Sequence, residues 1–143
     1  LNQCLALLPQ CDIFIACAAV ADYRPATIQE QKIKKGPQEV SLPLVRNPDI
    51  VAAVSASKHS PYTVGFAAET NDVVSYARDK MERKGLDMIV ANDVSDPSIG
   101  FNSDDNSVTV LWRTGEHTAE RASKGAIARQ IVTLIAQQTD SAS

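Results

Sequence analysis

The lysines of this sequence are the first residues whose type and spacing could do chemistry. Lys32, Lys34 and Lys35 crowd into QEQKIKKGPQ, with Ile33 between them. In an extended stretch side chains alternate, so Lys32 and Lys34 share one face while Ile33 and Lys35 share the other. Two readings stand open: a charged edge that blocks strand-to-strand aggregation, or a clamp for an anion. Lys80 and Lys84 stand four positions apart in a segment of helical periodicity and therefore face one way. Two ammonium groups on one face can hold a polyphosphate as point charges. They can equally form a solvated face paired with Glu69, Asp72, Asp79 or Glu82.

Other stretches offer ligand chemistry of a different kind. In CAAVADYRP the small residues Ala16, Cys17 and Ala18 let a ligand approach the backbone, and Asp22 is an acceptor suited to ribose hydroxyls or a base amine. The same residues could simply permit helix packing and cap a turn. RNPDIV reads as a helix start with free backbone N–H groups, an anion site or a plain capped helix. The acids Asp93, Asp96, Asp104 and Asp105 of the polar loop do not have the spacing of an EF-hand loop. No G-x-G-x-x-G, Walker lysine or G-x-S-x-G motif is present. His59 and His117 are expected in surface turns, without a nucleophile signature around them.

The elements that must position these groups follow from hydrophobic patterning. LNQCLALLPQ reads as the last turns of an amphipathic helix ending near Pro9. The apolar run Ile13 to Val20 suits a strand buried on both faces, as do Tyr62 to Ala67 and Leu86 to Ala91. Between them lie two helices. One has Asn47 as N-cap and Pro48 at its first position. The other carries Val73, Val74, Ala77 and Met81 at helical spacing and ends at Gly85. Arg24 to Arg46 is an extended arm or hairpin. NSVTVLWRTGEHTAE is a hairpin turning at Thr114-Gly115. A closing helix follows, capped by Ser123, with Ile127, Ile131, Leu134 and Ile135 inward and TDSAS frayed beyond it. Strand alternating with helix implies right-handed crossovers and an α/β, Rossmann-like, doubly wound and mostly parallel sheet, with a protruding flap and a C-terminal hairpin plus helix. In such a sheet ligands bind outside the carboxyl ends of the strands, where the unusual residues above fall.

Composition narrows the class. A chain of 143 residues with 44% hydrophobic and 22% charged residues suits one globular domain. A net charge of −3 argues against a nucleic-acid surface. No run is long enough to cross a bilayer and no leader pattern is present, so no membrane partner is expected. Cys4, Cys11 and Cys17 are odd in number and lack a C-x-x-C spacing, which fits a reducing cytoplasm and argues against a zinc site.

Taken in order, CAAVADYRPATIQEQKIKK, LVRNPDIVAAV, VGFAAETNDVVSYARDKMERKGLDMIVANDV and GFNSDDNSVTVLW resemble the phosphopantothenate–cysteine ligase domain of bacteria. The likeness runs from about Ile13 to the closing helix. In bacteria this domain is typically the C-terminal half of a bifunctional protein whose other half is an FMN-dependent decarboxylase, so FMN is not expected in this chain. The resemblance implies ligation of cysteine to 4′-phosphopantothenate in coenzyme A biosynthesis, with CTP as co-substrate and magnesium on the triphosphate. It also implies a homodimer, and a larger assembly where the decarboxylase is fused. Onto matching positions it carries a nucleoside site at Ala16, Cys17, Ala18 and Asp22. Pro48, Asp49, Ile50, Val51 and Phe66 complete that pocket. Lys80 and Lys84 neutralise the triphosphate, and Lys32 acts on a mobile flap at the reacting centre, in its own subunit or its neighbour's.

The family's glycine-rich turn and active-site asparagine belong to a segment preceding Leu1, which would also supply the first strands of the sheet. The resemblance therefore implies residues 1–143 as one ligase domain lacking its N-terminal nucleotide loop. A non-catalytic nucleotide-binding or dimerisation fragment is the alternative. A NAD-type oxidoreductase lacks its glycine fingerprint.

Overall fold

A computed structural model describes residues 1–28, 30–31, 41–94 and 103–140. The chain enters through α1 (Asn2–Leu7), which passes into a 3-10 turn at Leu8–Gln10 where Pro9 stops the helix. Strand β1 (Ile13–Ala16) follows, then β2 (Tyr23–Pro25), β3 (Leu44–Arg46), α2 (Ile50–Ser55), β4 (Tyr62–Glu69), α3 (Val73–Lys84), β5 (Met88–Asp93), β6 (Asp105–Trp112), β7 (Gly115–Ser123) and α4 (Lys124–Asp140). Among the described residues one sheet has the order β1-β4-β5-β6-β7; β1, β4 and β5 run parallel, and the β6–β7 hairpin is antiparallel. The excursion Arg24 to Arg46 starts and ends as a separate antiparallel pair, β2 with β3, so the expected hairpin is present at its base.

Period-two alternation divides the core into two layers. Val64, Met88, Val90, Val108 and Val110 face Ile127, Ile131 and Ile135 of α4, with Leu134 packed alongside. Ala67, Ile89, Ala91 and Leu111 face Ala77 and Met81 of α3, with Val51 of α2 and Val73 packed against them. Helices thus cover both faces, which is the doubly wound arrangement expected from the strand–helix alternation. Val74, placed in the helical stripe by spacing, turns outward and is 39% exposed.

Several boundaries differ from the sequence reading, each for a local reason. The run Ile13 to Val20 forms only four residues of strand, and Ile13 and Ile15 are each 41% exposed. Among the described residues β1 pairs only with β4, and its side chains are exposed or half-buried rather than closed over on both faces. The first residues of the third run, Leu86 and Asp87, precede the strand. Leu86 N donates to Met81 O at 2.9 Å, closing the end of α3 behind Gly85, whose φ of 65° needs a residue without a Cβ. The hairpin turns at Arg113-Thr114 rather than Thr114-Gly115, because Gly115 already pairs with Trp112. A Cβ on Gly115 would stand 2.9 Å from the indole ring of Trp112. His117 lies on β7 opposite Val110 and not in a turn. Ser123 caps α4 as expected, accepting from Ala126 N at 3.3 Å. The helix runs on through Thr139 and Asp140, where fraying was expected; Thr139 Oγ1 contacts the carbonyls of Ile135 and Ala136. Of the polar-loop acids, Asp93 ends β5 and Asp104 and Asp105 lead into β6, while Asp96 lies outside the described residues.

Candidate functional site

The carboxyl ends of β1 and β4 open onto a cleft of about 460 Å³. That volume lies within the range of small-molecule sites. Its floor is made where β1 gives way to the small-residue loop Ala16–Ala21, beside Gly65 and Phe66 of β4. Phe66 is 36% exposed and offers an apolar surface there. Asp22 and the segment Asn47–Val51 form one wall, with Lys80 and Lys84 of α3 also lining the cleft. Ala16, Cys17, Ala18, Asp22, Pro48, Asp49, Ile50, Val51, Phe66, Lys80 and Lys84 therefore all line one cavity. Lys32, with Lys34 and Lys35, lies outside the described residues.

The wall is held by a polar interlock that the sequence did not announce. Asn47 Nδ2 donates to Ala21 O at 2.8 Å, and its Oδ1 accepts from Arg24 Nη1 at 2.8 Å. Arg24 Nη1 also reaches Arg46 O at 3.2 Å, and Asn47 N donates to Asp22 O at 2.7 Å. The base of the β2–β3 hairpin is thereby tied to the loop after β1, and Asp22 and Arg46 are delivered to the rim.

These bonds also correct the capping assignment. Asn47 is engaged by the hairpin, so it does not cap α2. Asp49 does, accepting from Ala52 N at 3.1 Å through Oδ1, and Pro48 lies ahead of the cap rather than at the first helical position. Of the backbone donors at the start of α2, that of Ala52 is satisfied by the Asp49 side chain.

The other oxygen of Asp49 lies 2.9 Å from Lys84 Nζ. The partner of Lys84 is thus Asp49, and not Glu69, Asp72, Asp79 or Glu82. Burial by itself would raise the Asp49 pKa. The hydrogen bonds from Lys84 and Ala52 N, and the positive charges of Lys84 and Arg46, outweigh it and hold the carboxyl below its ordinary value of 3.8. Ser55 Oγ lies against the carbonyls of Ala52 and Lys84, fastening the end of α2 to the end of α3. Lys84 is held by both its side chain and its backbone. Lys80 is half-buried one turn earlier, with no ion pair among the described residues.

A second hollow of about 450 Å³ continues from the cleft past Asp22 and Asp49, bounded by Tyr23, Arg46, Ala52, Lys80, Arg83 and Lys84. Arg46 and Arg83 were not singled out in the sequence. Arg83 had a readable signal, since Lys80, Arg83 and Lys84 stand at i, i+3 and i+4 on one helix surface. Arg46 had none, because it reaches the cleft through pairing between distant segments. Among the described residues no three His, Cys, Asp or Glu side chains come together as a metal cage, and no helix is long and apolar enough to cross a membrane.

A doubly wound α/β sheet with a cleft at the carboxyl ends of its parallel strands is the arrangement in which proteins of the α/β class hold small ligands. The chain belongs to the family described as DNA/pantothenate metabolism flavoprotein C-terminal domain, which matches residues 1–139. It is 56% identical over 129 residues to the coenzyme A biosynthesis bifunctional protein CoaBC of Vibrio cholerae, covering 88% of this chain and 32% of that protein. The protein of the same name from Escherichia coli is 56% identical over 115 residues, 78% of this chain and 28% of the relative. The chain thus spans about a third of the length of these curated relatives. Among solved structures, the C-terminal domain of a CoaBC protein superposes with a TM-score of 0.76 at 29% identity, covering 98% of this chain and 61% of the other. A Streptococcus pneumoniae DNA/pantothenate metabolism flavoprotein shares the fold with a TM-score of 0.77 at 19% identity, over 96% of this chain and 68% of the other.

Proposed function

We propose that this chain carries the ligase step of coenzyme A biosynthesis, joining L-cysteine to 4′-phosphopantothenate at the expense of CTP. One observation carries the reading: the cleft gathers an apolar, small-residue floor and two lysines from separate parts of the chain. A nucleoside would lie over the loop after β1 and against Phe66, with Asp22 as acceptor, and its phosphates would extend toward Lys80 and Lys84. The names of the CoaBC relatives support the pathway, and the chain's likeness to the bacterial ligase domain supports the substrates.

In this reading the pantothenate carboxylate attacks the α-phosphorus of CTP, forming an acyl-cytidylate and expelling pyrophosphate. The cysteine amine then attacks the acyl carbon, an amide forms, and CMP leaves with the electrons of the broken acyl–phosphate bond. Such chemistry asks the protein mainly for alignment and charge neutralisation. Lys84, held by Asp49, presents a cation at a fixed place, and Lys80 adds a second. Magnesium belongs to the triphosphate substrate, in keeping with the preference of that ion for phosphate oxygens and water. Lys32, between β2 and β3 in the sequence, would act at the reacting centre. A homodimer forms part of the proposal, supported by Tyr23 and Leu44, apolar side chains of the hairpin that are 57% and 54% exposed.

The test is pyrophosphate release from CTP, phosphopantothenate and magnesium, with and without cysteine, by this chain and by a version extended upstream. Release together with cysteine-dependent amide supports the ligase. Release by neither version overturns it. Release by the extended version alone assigns this chain the nucleotide cleft without turnover.

A further inference from the structure

We propose that Arg24 is a positioning residue for the cleft, acting through Asn47 on the loop over which the nucleoside would lie. The inference rests on the nucleotide reading for its ligand and adds a residue that does not touch that ligand. Arg24 is exposed and lines neither the cleft nor the hollow beside it. Its Nη1 donates to Asn47 Oδ1 at 2.8 Å and to Arg46 O at 3.2 Å. A guanidinium carries donors only, so the Asn47 amide must turn its oxygen toward Arg24. That leaves Nδ2 facing the loop, where it donates to Ala21 O at 2.8 Å. The Asn47 backbone N–H takes the next carbonyl, Asp22 O, at 2.7 Å. One residue thus holds two consecutive carbonyls of the loop after β1, and Arg24 sets which end of its amide they meet.

The loop needs such a grip because its own residues supply little. Between β1 and β2 the chain forms neither helix nor strand. Ala18, Ala19, Val20 and Ala21 have no side-chain polar group with which to anchor it. Its carbonyls are what a neighbouring element can hold, and the element that holds them is the far end of the β2–β3 hairpin. Asn47 lines the cleft and is placed to touch a ligand directly, whereas Arg24 acts on one only through Asn47. Arg24 therefore isolates positioning from contact. It also links the hairpin to the cleft floor, since Arg24 sits on β2 and its two acceptors lie at the end of β3 and just beyond.

The probes are CMP and CTP, titrated calorimetrically at low and high salt into the wild-type chain, Arg24→Ala, Arg24→Lys, Asn47→Asp and Arg121→Ala. Arg121 is likewise an exposed arginine bonded to a side chain, Asp105 at 3.3 Å, but it lies on β7 outside both cavities. Far-ultraviolet circular dichroism checks that each variant is folded. Arg24→Ala should lose about three- to tenfold in affinity, the worth of one such hydrogen bond. The factor should be the same for CMP and CTP and at both salt concentrations. Arg24→Lys keeps a donor for Asn47 Oδ1 and should recover most of the loss. Asn47→Asp should lose at least as much as Arg24→Ala, again equally for the two nucleotides. Its carboxylate still accepts from Arg24, so the hairpin base keeps its bond, but it has no donor for Ala21 O. Arg121→Ala should bind as wild type does. Unchanged affinity in Arg24→Ala overturns the proposal, as does a loss confined to CTP and erased by salt, the mark of a distant positive charge. A tolerated Asn47→Asp also overturns it, leaving Arg24 as a brace of the hairpin alone. A wild type that binds neither nucleotide removes the nucleotide reading, and hydrogen exchange at the Asn47 amide then decides the interlock. Faster exchange in Arg24→Ala but not in Arg121→Ala keeps Arg24 as the residue that fixes the loop; equal exchange overturns that too.

Discussion

Replacing Asp49 by asparagine separates the two things that this side chain does. Asparagine caps a helix about as well as aspartate, so the bond from Ala52 N survives and α2 is kept. What disappears is the ion pair with Lys84 at 2.9 Å. At that separation the direct attraction is about 6 kcal/mol for an effective dielectric of 20. The Asp49 side chain is 40% exposed and Lys84 21%, so solvent screening and desolvation cancel most of it, leaving about 0.2–1 kcal/mol of net stability. Because the folded state lowers the Asp49 pKa, that contribution is fully present above 3.8 and is lost as the pH falls through the folded value. Urea unfolding should therefore find Asp49→Asn less stable than wild type by this small amount at neutral pH, with the gap closing below pH 3.8. The same change frees Lys84 and removes a negative charge from the cleft. Without magnesium, CTP should bind the variant up to about fivefold more tightly, which corresponds to about 1 kcal/mol at most. A variant as stable as wild type at neutral pH, or a stability gap indifferent to acid, would refute the electrostatic part. Weaker CTP binding would refute the idea that Asp49 competes with phosphate for Lys84.

Other substitutions test the supports of the cleft. Ile127→Ala should cost about 2–5 kcal/mol in urea unfolding, because Ile127 is 3% exposed at the centre of the layer between α4 and the sheet. Gly85→Ala should lower stability by about 1–2 kcal/mol by thermal unfolding, since alanine must take the left-handed conformation that ends α3. The Tyr62 phenol is pushed up to about 12 by burial first and by the charge of Asp87 second. Its neutral form stabilises the fold below the ordinary value of 10, and this contribution is lost as the pH rises through about 12. Tyrosinate absorbance during an alkaline titration should lose its latest component in Tyr62→Phe.

The architecture was legible where one periodicity acted alone. The run MIVA specifies a strand buried on both faces, the spacing of Ile127, Ile131 and Ile135 specifies a helix buried on one, and the two core layers follow from them. What sequence pattern could not give was set by partners distant in the chain. The exposure of Ile13 and Ile15 depends on what packs over β1, which the pattern of its own residues does not carry. The cap of α2 moved from Asn47 to Asp49 because Arg24, 23 residues away, occupies the asparagine oxygen. Lys84 and Asp49 meet only when α2 and α3 dock, so the helical spacing that identified Lys80 and Lys84 as one face pointed to the wrong carboxylates for Lys84. That Arg46 and Arg83 border one hollow likewise depends on the hairpin being fastened to the loop after β1.

The central claim is that this cleft takes the triphosphate of CTP on Lys80 and Lys84. Calorimetric titration of CTP and CMP into wild type and Lys80→Ala/Lys84→Ala tests it most directly. A charged contact of about 1.5 kcal/mol corresponds to about tenfold in affinity, so the double variant should lose at least about tenfold for CTP. CMP binding should change little. Equal losses for the two nucleotides, or an unchanged CTP affinity, would contradict the account.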